Sequence, residues 1–373
     1  MNFKRVSYLA IFVSLVLVSQ MAVGGGRARA SDDKKKTEKK KAEPFAIKRV
    51  TQGMGLYAID DLSPDGRHAI LIARKPEQSP NLYLINLTNL SILPPLTDFK
   101  WGAAGPSWSP DGWLLVFAGF GSDSNFSDIY TLDLKTSRKR QLTANNFNDR
   151  DPVFTPDGKR VLYTTDESPL PDAAFGILHI ASVPVGGGKS EYFTEDECSS
   201  VQPGISPDGK SVLLVKIDED SGRHSLWQYG LDGKPVASLS GRTFARIHGY
   251  IPSSSANMIV IWGQEEPEQQ ENIYILDMKT RQVRPLPDPD SPKSNPAVSP
   301  SGSLIAYTSQ TETGRQLFLY TIASGQVQQL TLKGDNTFSP VFSSNEHILF
   351  GSDREKEPEL FLVDLAAPLP EKK

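Results

Sequence analysis

Trp108-Ser109-Pro110-Asp111-Gly112 decides the fold, because each residue suits one place in a tight turn between antiparallel strands. Ser bonds through its side chain to nearby backbone, Pro presets φ, Asp tolerates the bridge region, and Gly takes the left-handed position that completes a hairpin. The unit recurs as Ser63-Pro64-Asp65-Gly66, Thr155-Pro156-Asp157-Gly158, Ser206-Pro207-Asp208-Gly209 and Ser299-Pro300-Ser301-Gly302. Pro207 and Pro300 are two periods apart, with Pro252-Ser253-Ser254-Ser255 between them, and a degraded last copy is Ser343-Ser344-Asn345-Glu346. Seven turns, 44 to 51 residues apart, make this a repeat protein.

Each turn is followed by a short apolar strand, such as 114–118 or 161–165, and then by a third strand with an aromatic-type residue near its start. Those residues are Tyr83, Tyr130, His179, Trp227, Tyr274, Phe318 and Phe361. A fourth strand ends in Leu-Thr or a variant: Leu96-Thr97, Leu142-Thr143, Phe193-Thr194, Leu239-Ser240 and Leu330-Thr331. Four strands per unit with no amphipathic helix between them predict an all-β propeller of seven four-stranded antiparallel blades, a six-bladed ring being the alternative. The last unit lacks a fourth strand of its own. Residues 47–51 resemble the end of blade two's fourth strand and are expected to close the ring from the other end of the chain, which removes the open edges.

The run of Trp108 to Gly112, with Pro106 before it and Ile129-Tyr130 to Leu134 after it, resembles the beta-propeller repeat of the TolB family. Similar repeats occur in propellers of tricorn-type and prolyl-oligopeptidase-type proteases. The resemblance covers about residues 45–365 and implies a periplasmic protein that binds other envelope proteins. TolB proteins carry a separate alpha/beta domain before a six-bladed propeller, where this chain has a Lys-rich linker and seven units.

Lys4 and Arg5 precede an apolar run over 6–23, and Ala28-Arg29-Ala30 supplies a small-x-small pattern. This reads as a secretory signal cleaved after Ala30; an uncleaved anchor is the competing reading, disfavoured by Arg27 and Arg29 on the outer side. After cleavage no membrane span is expected, and the location is periplasmic or secreted. Residues 31–44 form a Lys-rich linker of net charge +2, read as a solvated tether, and the rest, the propeller domain 45–373, carries −10. That acidity argues against a nucleic-acid partner. Cys198 is the single cysteine, so no intramolecular disulfide forms.

Catalytic patterns are nearly absent: there is no G-x-S-x-G elbow, no H-E-x-x-H and no dinucleotide fingerprint. No cofactor is expected, and no metal site either, since of five histidines only His248 sits well for the channel. His248 is placed in an inner strand four residues before Pro252, where other blades have an inner proline, with Arg246 two residues away on the same face. The two are read either as a ligand pair or as satisfied channel residues. The acidic stretches 218–220 and 123–128 read as solvated loops. Lys100-Trp101, the stretch 148–151 with Arg150 and Asp151, and 242–246 are read as loops between blades, converging on the face where inner strands begin. Trp101 and Arg150 are of types enriched at binding hot spots. Exposed, Trp101 favours protein or glycan contact; packed between blades, it is structural. The expected function is therefore a non-enzymatic, exported scaffold or protein-binding module with an envelope protein or glycan partner. The alternative is an extracellular polysaccharide lyase or a hydrolase-related propeller.

Overall fold

The repeated turn folds as a closed set of hydrogen bonds. In Ser63, Ser109 and Ser206 the hydroxyl meets the Asp two residues on at 2.6 Å, and Thr155 does so at 2.7 Å. The same oxygen accepts the N–H five residues on, from His68, Leu114, Arg160 and Ser211. Gly closes the turn by donating to the carbonyl of the first residue, at 2.8 to 2.9 Å in these four and also in Gly302. The hydroxyl and backbone bonds to the Asp carboxyls hold them below the usual carboxylate range.

The computed structural model describes residues 44–368 apart from 76, 122–125, 168–176, 196, 289–290, 333–335 and 356. The expected signal and its cleavage site, nearly all of the linker, and Asp123 lie outside the described residues. The strands form seven antiparallel sheets, one per repeat, and no helix occurs among the described residues. In each, the inner strand comes first, and each inner strand touches the next around the ring, the seventh (Thr337–Phe342) meeting the first (Gly55–Leu62). Six sheets have four strands. In blade one the outer strand shrinks to a bridge between Ile85 and Ile92, because Pro94 and Pro95 cannot donate to a ladder. The segment still holds its place: Leu93 and Leu96 donate to the carbonyls of Leu84 and Leu82.

Seven apolar clusters each join two neighbouring blades. Blades one and two share Ile70, Leu82, Leu115 and Phe117, all fully buried. No ladder runs between these sheets, so their cohesion rests mainly on such burial, about 1.5–3 kcal/mol per large apolar side chain, with single hydrogen bonds between blades added to it. His179 takes the aromatic place in blade three, fully buried and edge-on to Tyr192.

The Leu-Thr ending of the outer strands has a specific task. The first residue donates its N–H to a carbonyl of the third strand in all seven blades: Leu96, Leu142, Phe193, Leu239, Leu286, Leu330 and Val50. The hydroxyl that follows accepts an N–H from that same third strand in six, at Thr97, Thr143, Thr194, Ser240, Thr331 and Thr51. Blade five has Pro287 there, and Asn272 substitutes by accepting the N–H of Ile273 at 2.8 Å.

Val50 and Thr51 belong to the other end of the chain. The strand Phe45–Arg49 pairs with Glu357–Pro368 and becomes the outer strand of blade seven. Fully buried Glu359 anchors it: its carboxyl accepts from Gly53 N (2.5 Å), Met54 N (3.3 Å), Arg49 Nη2 (3.1 Å) and the Thr51 hydroxyl. Glu359→Ala would strand these donors and is expected to cost about 3–5 kcal/mol, measured by urea unfolding of the full chain. Glu357→Ala, on an exposed position two residues earlier, should stay within about 0.5 kcal/mol of wild type.

Candidate functional site

Inner strands line the channel of a propeller, and here five of them share one kink. Gly105, Asp151, Gln202, Asn295 and Ser339 each precede a proline and hold a left-handed φ of 45 to 57°. At each the ladder to the second strand slips, so the strand bulges. Proline bars its predecessor from the right-handed helical region, and a bulge re-aims side chains. Four of the five residues are polar. Arg150 and Asp151 belong to the inner strand Asp149–Phe154, and so to the channel wall, not to a loop.

Blades one and five depart from this pattern. In blade one the ladder skips Asp60 and Asp61, between Ile59 and Leu62. Asp61 accepts N–H bonds from Leu62 (2.8 Å) and from Trp108 of blade two (3.2 Å). Burial outweighs those bonds and pushes its carboxyl up to about 6. Asp60 is solvent-accessible yet crowded by protein; loss of bulk water, then Asp61 and Asp151, push it up to about 7. Asp151 is raised by burial, against the pull of Arg150, whose Nε is 3.7 Å from Oδ2.

In blade five the hairpin closes between Ser253 and Met258, two residues later than the reading of Pro252 as the turn proline requires. Tyr250, three residues before Ser253, therefore takes the inner proline's place, and its hydroxyl donates to the Gln202 carbonyl of blade four at 2.6 Å. The bulge moves to His248, between Ile247 and Gly249. His248 is a paired residue: Nε2 lies 3.0 Å from Glu271 Oε1, and the ring is 5.0 Å from that of Trp262. His224, at the start of blade four's third strand, lies against this bulge and accepts the Ile247 N–H on Nδ1 at 3.2 Å. Burial, then Arg246 and His248, push its ring down to about 4.

Trp101 is 58% exposed on the loop that leads into the inner strand Ala103–Trp108, with Lys100 Nζ 5.0 Å from its ring centroid. Arg150 is mostly covered, its side chain 16% exposed. The structure thus separates the expected residues into an exposed Trp101 on the rim, Arg150 and Asp151 in the channel wall, and Arg246 and His248 at the mouth of blade five. Asp60, Asp61, His224, Tyr250 and Glu271 were not singled out from sequence as site residues. Asp60 could have been found by register, because it stands three residues before Ser63, where the inner proline of other blades stands. Among the described residues no three His, Cys, Asp or Glu side chains group as metal ligands.

The model of the TolB beta propeller domain matches residues 45–271. The chain belongs to the TolB beta-propeller family. An uncharacterized protein of Agrobacterium fabrum is 28% identical over 165 residues, 44% of this chain and 48% of that protein. The Tol-Pal system protein TolB of Francisella tularensis subsp. holarctica is 23% identical over 250 residues, 67% of this chain and 53% of its own. The chain spans about half the length of the curated relatives it matches. Oligogalacturonate lyase from Vibrio parahaemolyticus superposes with a TM-score of 0.63 at 17% identity, over 86% of this chain and 93% of the lyase. At that identity the likeness is one of fold alone.

The TolB-type channel carries a pH signature. Asp60 has a folded pKa above its unfolded value, so the native state holds that proton more tightly, and stability falls as pH rises from about 4 through about 7. Asp60→Asn should melt above wild type at pH 8 and together with it at pH 4, as followed by differential scanning calorimetry.

Proposed function

We propose that this chain is an exported propeller that binds a protein partner in the cell envelope through the face on which its inner strands begin. The exposed indole of Trp101 carries the reading: a large amphipathic ring held out on a rim, with a lysine beside it, has the chemistry of an interface anchor. The basic and apolar start of the sequence supports export, and the name of the Francisella relative places that protein in the Tol-Pal system. The acidic body supports a protein partner over a nucleic acid. The rival reading, an extracellular polysaccharide lyase, would need His248 as its channel residue, and that ring is already engaged by Glu271.

Trp113 provides a matched control. It is 51% exposed with Lys135 Nζ 3.5 Å from its ring centroid, but it follows the turn at the far end of the same inner strand and so faces the opposite side. In a pull-down from envelope extracts, wild type and Trp113→Ala should retain the same protein, and Trp101→Ala should retain at least about tenfold less. Equal capture by Trp101→Ala, or capture no better than a charge-matched control, would remove the support for this reading.

A further inference from the structure

The geometry points to a carboxylate-binding subsite at the mouth of blade five, formed by Arg246 and His224 with His248 as its fixed wall, which takes an acidic side chain of a peptide segment. It deepens the protein-binding reading above and rests on that reading for the partner's class. Of the three arginines between Arg223 and Arg246 at this rim, two are saturated. Arg223 meets both oxygens of Glu266, at 3.0 and 3.1 Å, and the Glu265 carbonyl at 2.9 Å. Arg242 is paired with Glu265 and donates to the Val283 carbonyl at 3.1 Å. Arg246 is exposed and makes no side-chain hydrogen bond or ion pair among the described residues. An unengaged guanidinium presents a planar fork of donors matched to a carboxylate.

His224 adds a directed donor. Its Nδ1 accepts the Ile247 N–H, so the neutral ring carries its proton on Nε2. That N–H has no acceptor among the described residues. The closeness of His224 to this strand is built into the backbone, because His224 and Phe244 exchange two hydrogen bonds of 2.8 Å just before Arg246. His248 is held by Glu271 and packed on Trp262, so it forms a wall that does not swing into the space. The bulge that turns Arg246 and His248 away from regular ladder geometry depends on Gly263, where a Cβ would collide with the Arg246 carbonyl. Glu265 and Glu266 are paired with Arg242 and Arg223, and Glu271 is engaged by His248 and feels Arg315 of blade six, so none of these carboxylates pairs with Arg246.

The subsite is tested on the full chain with end-blocked triglutamate, end-blocked triglutamine and digalacturonate, by calorimetry and by the imidazole resonances of His224. Triglutamate should bind and raise the titration midpoint of His224, because a carboxylate offsets the Arg246 charge. Triglutamine should bind at least about tenfold more weakly, and Arg246→Gln should lose at least about tenfold for triglutamate, the loss expected for a charge-assisted pair. Equal binding of the two peptides, or no effect of Arg246→Gln in a protein with wild-type melting, overturns the subsite. Binding of digalacturonate without triglutamate overturns the peptide as its ligand. Trp101→Ala should keep triglutamate binding, so loss of envelope capture in that variant and loss of this subsite are separate results.

Discussion

The ring depends on one set of bonds that the chain makes between its two ends. Val50 and Thr51 do for blade seven what Leu142 and Thr143 do for blade two, yet the third strand they serve lies about three hundred residues later. Within a blade these bonds close a short hairpin; between chain ends they close the circle. The difference shows in the partner. Blades one and six use neutral Asn81 and Gln316 beside their Thr, and blade two uses Asp128, which accepts from Thr143, Gln141 and one backbone N–H; Glu359 of blade seven collects two backbone donors, a hydroxyl and the Arg49 guanidinium. A long closure has a larger entropic cost than a hairpin, and the added charge-assisted bonds stabilise the junction where that cost falls.

Closure also fixes what lies in the channel. Each blade packs on its neighbours mainly through apolar side chains of the second and third strands; the inner strands add residues at their ends, such as Trp108 and Phe154, and meet around the ring through their middle positions. The left-handed residue before each inner proline sets a bulge at one level of the wall. Because that conformation favours Gly, Asn and Asp, the level is filled by small or polar residues. Asp151, Gln202 and Asn295 are channel residues for this backbone reason before any functional one.

Much of this was legible in the sequence. The Ser-Pro-Asp-Gly turns, the aromatic third strands and the Leu-Thr endings each encode a local bond, and local bonds leave periodic marks. Residues 47–51 could be placed at the far end of the chain because they repeat the same ending. Blade five was legible only to within two residues, since Pro252 imitates the turn proline while Ser253 opens the actual turn. Blade one hid its channel carboxylates for a related reason: Asp60 replaces the inner proline, so the marker that located the channel elsewhere is missing there. Pairings such as His248 with Glu271 and His224 with Ile247 join separate strands and leave no periodic trace. Arg150, which composition alone places among binding residues, is drawn into the wall beside Asp151.

The two exceptional blades give the propeller its electrostatic asymmetry. Asp60 and Asp61 of blade one, with Asp151 of blade three, gather carboxyls in the channel wall, and burial there holds part of that charge back until the pH passes about 6 to 7. Blade five, lacking the proline, places its bulge at His248 and sets Arg246 free at the rim. For the proposed acidic segment, this arrangement means repulsion at the channel and attraction at blade five. Both effects weaken with salt, since rim charges are screened over about 8 Å at physiological ionic strength. In the proposed binding mode, charge therefore selects the position on the face and the indole of Trp101 supplies contact strength.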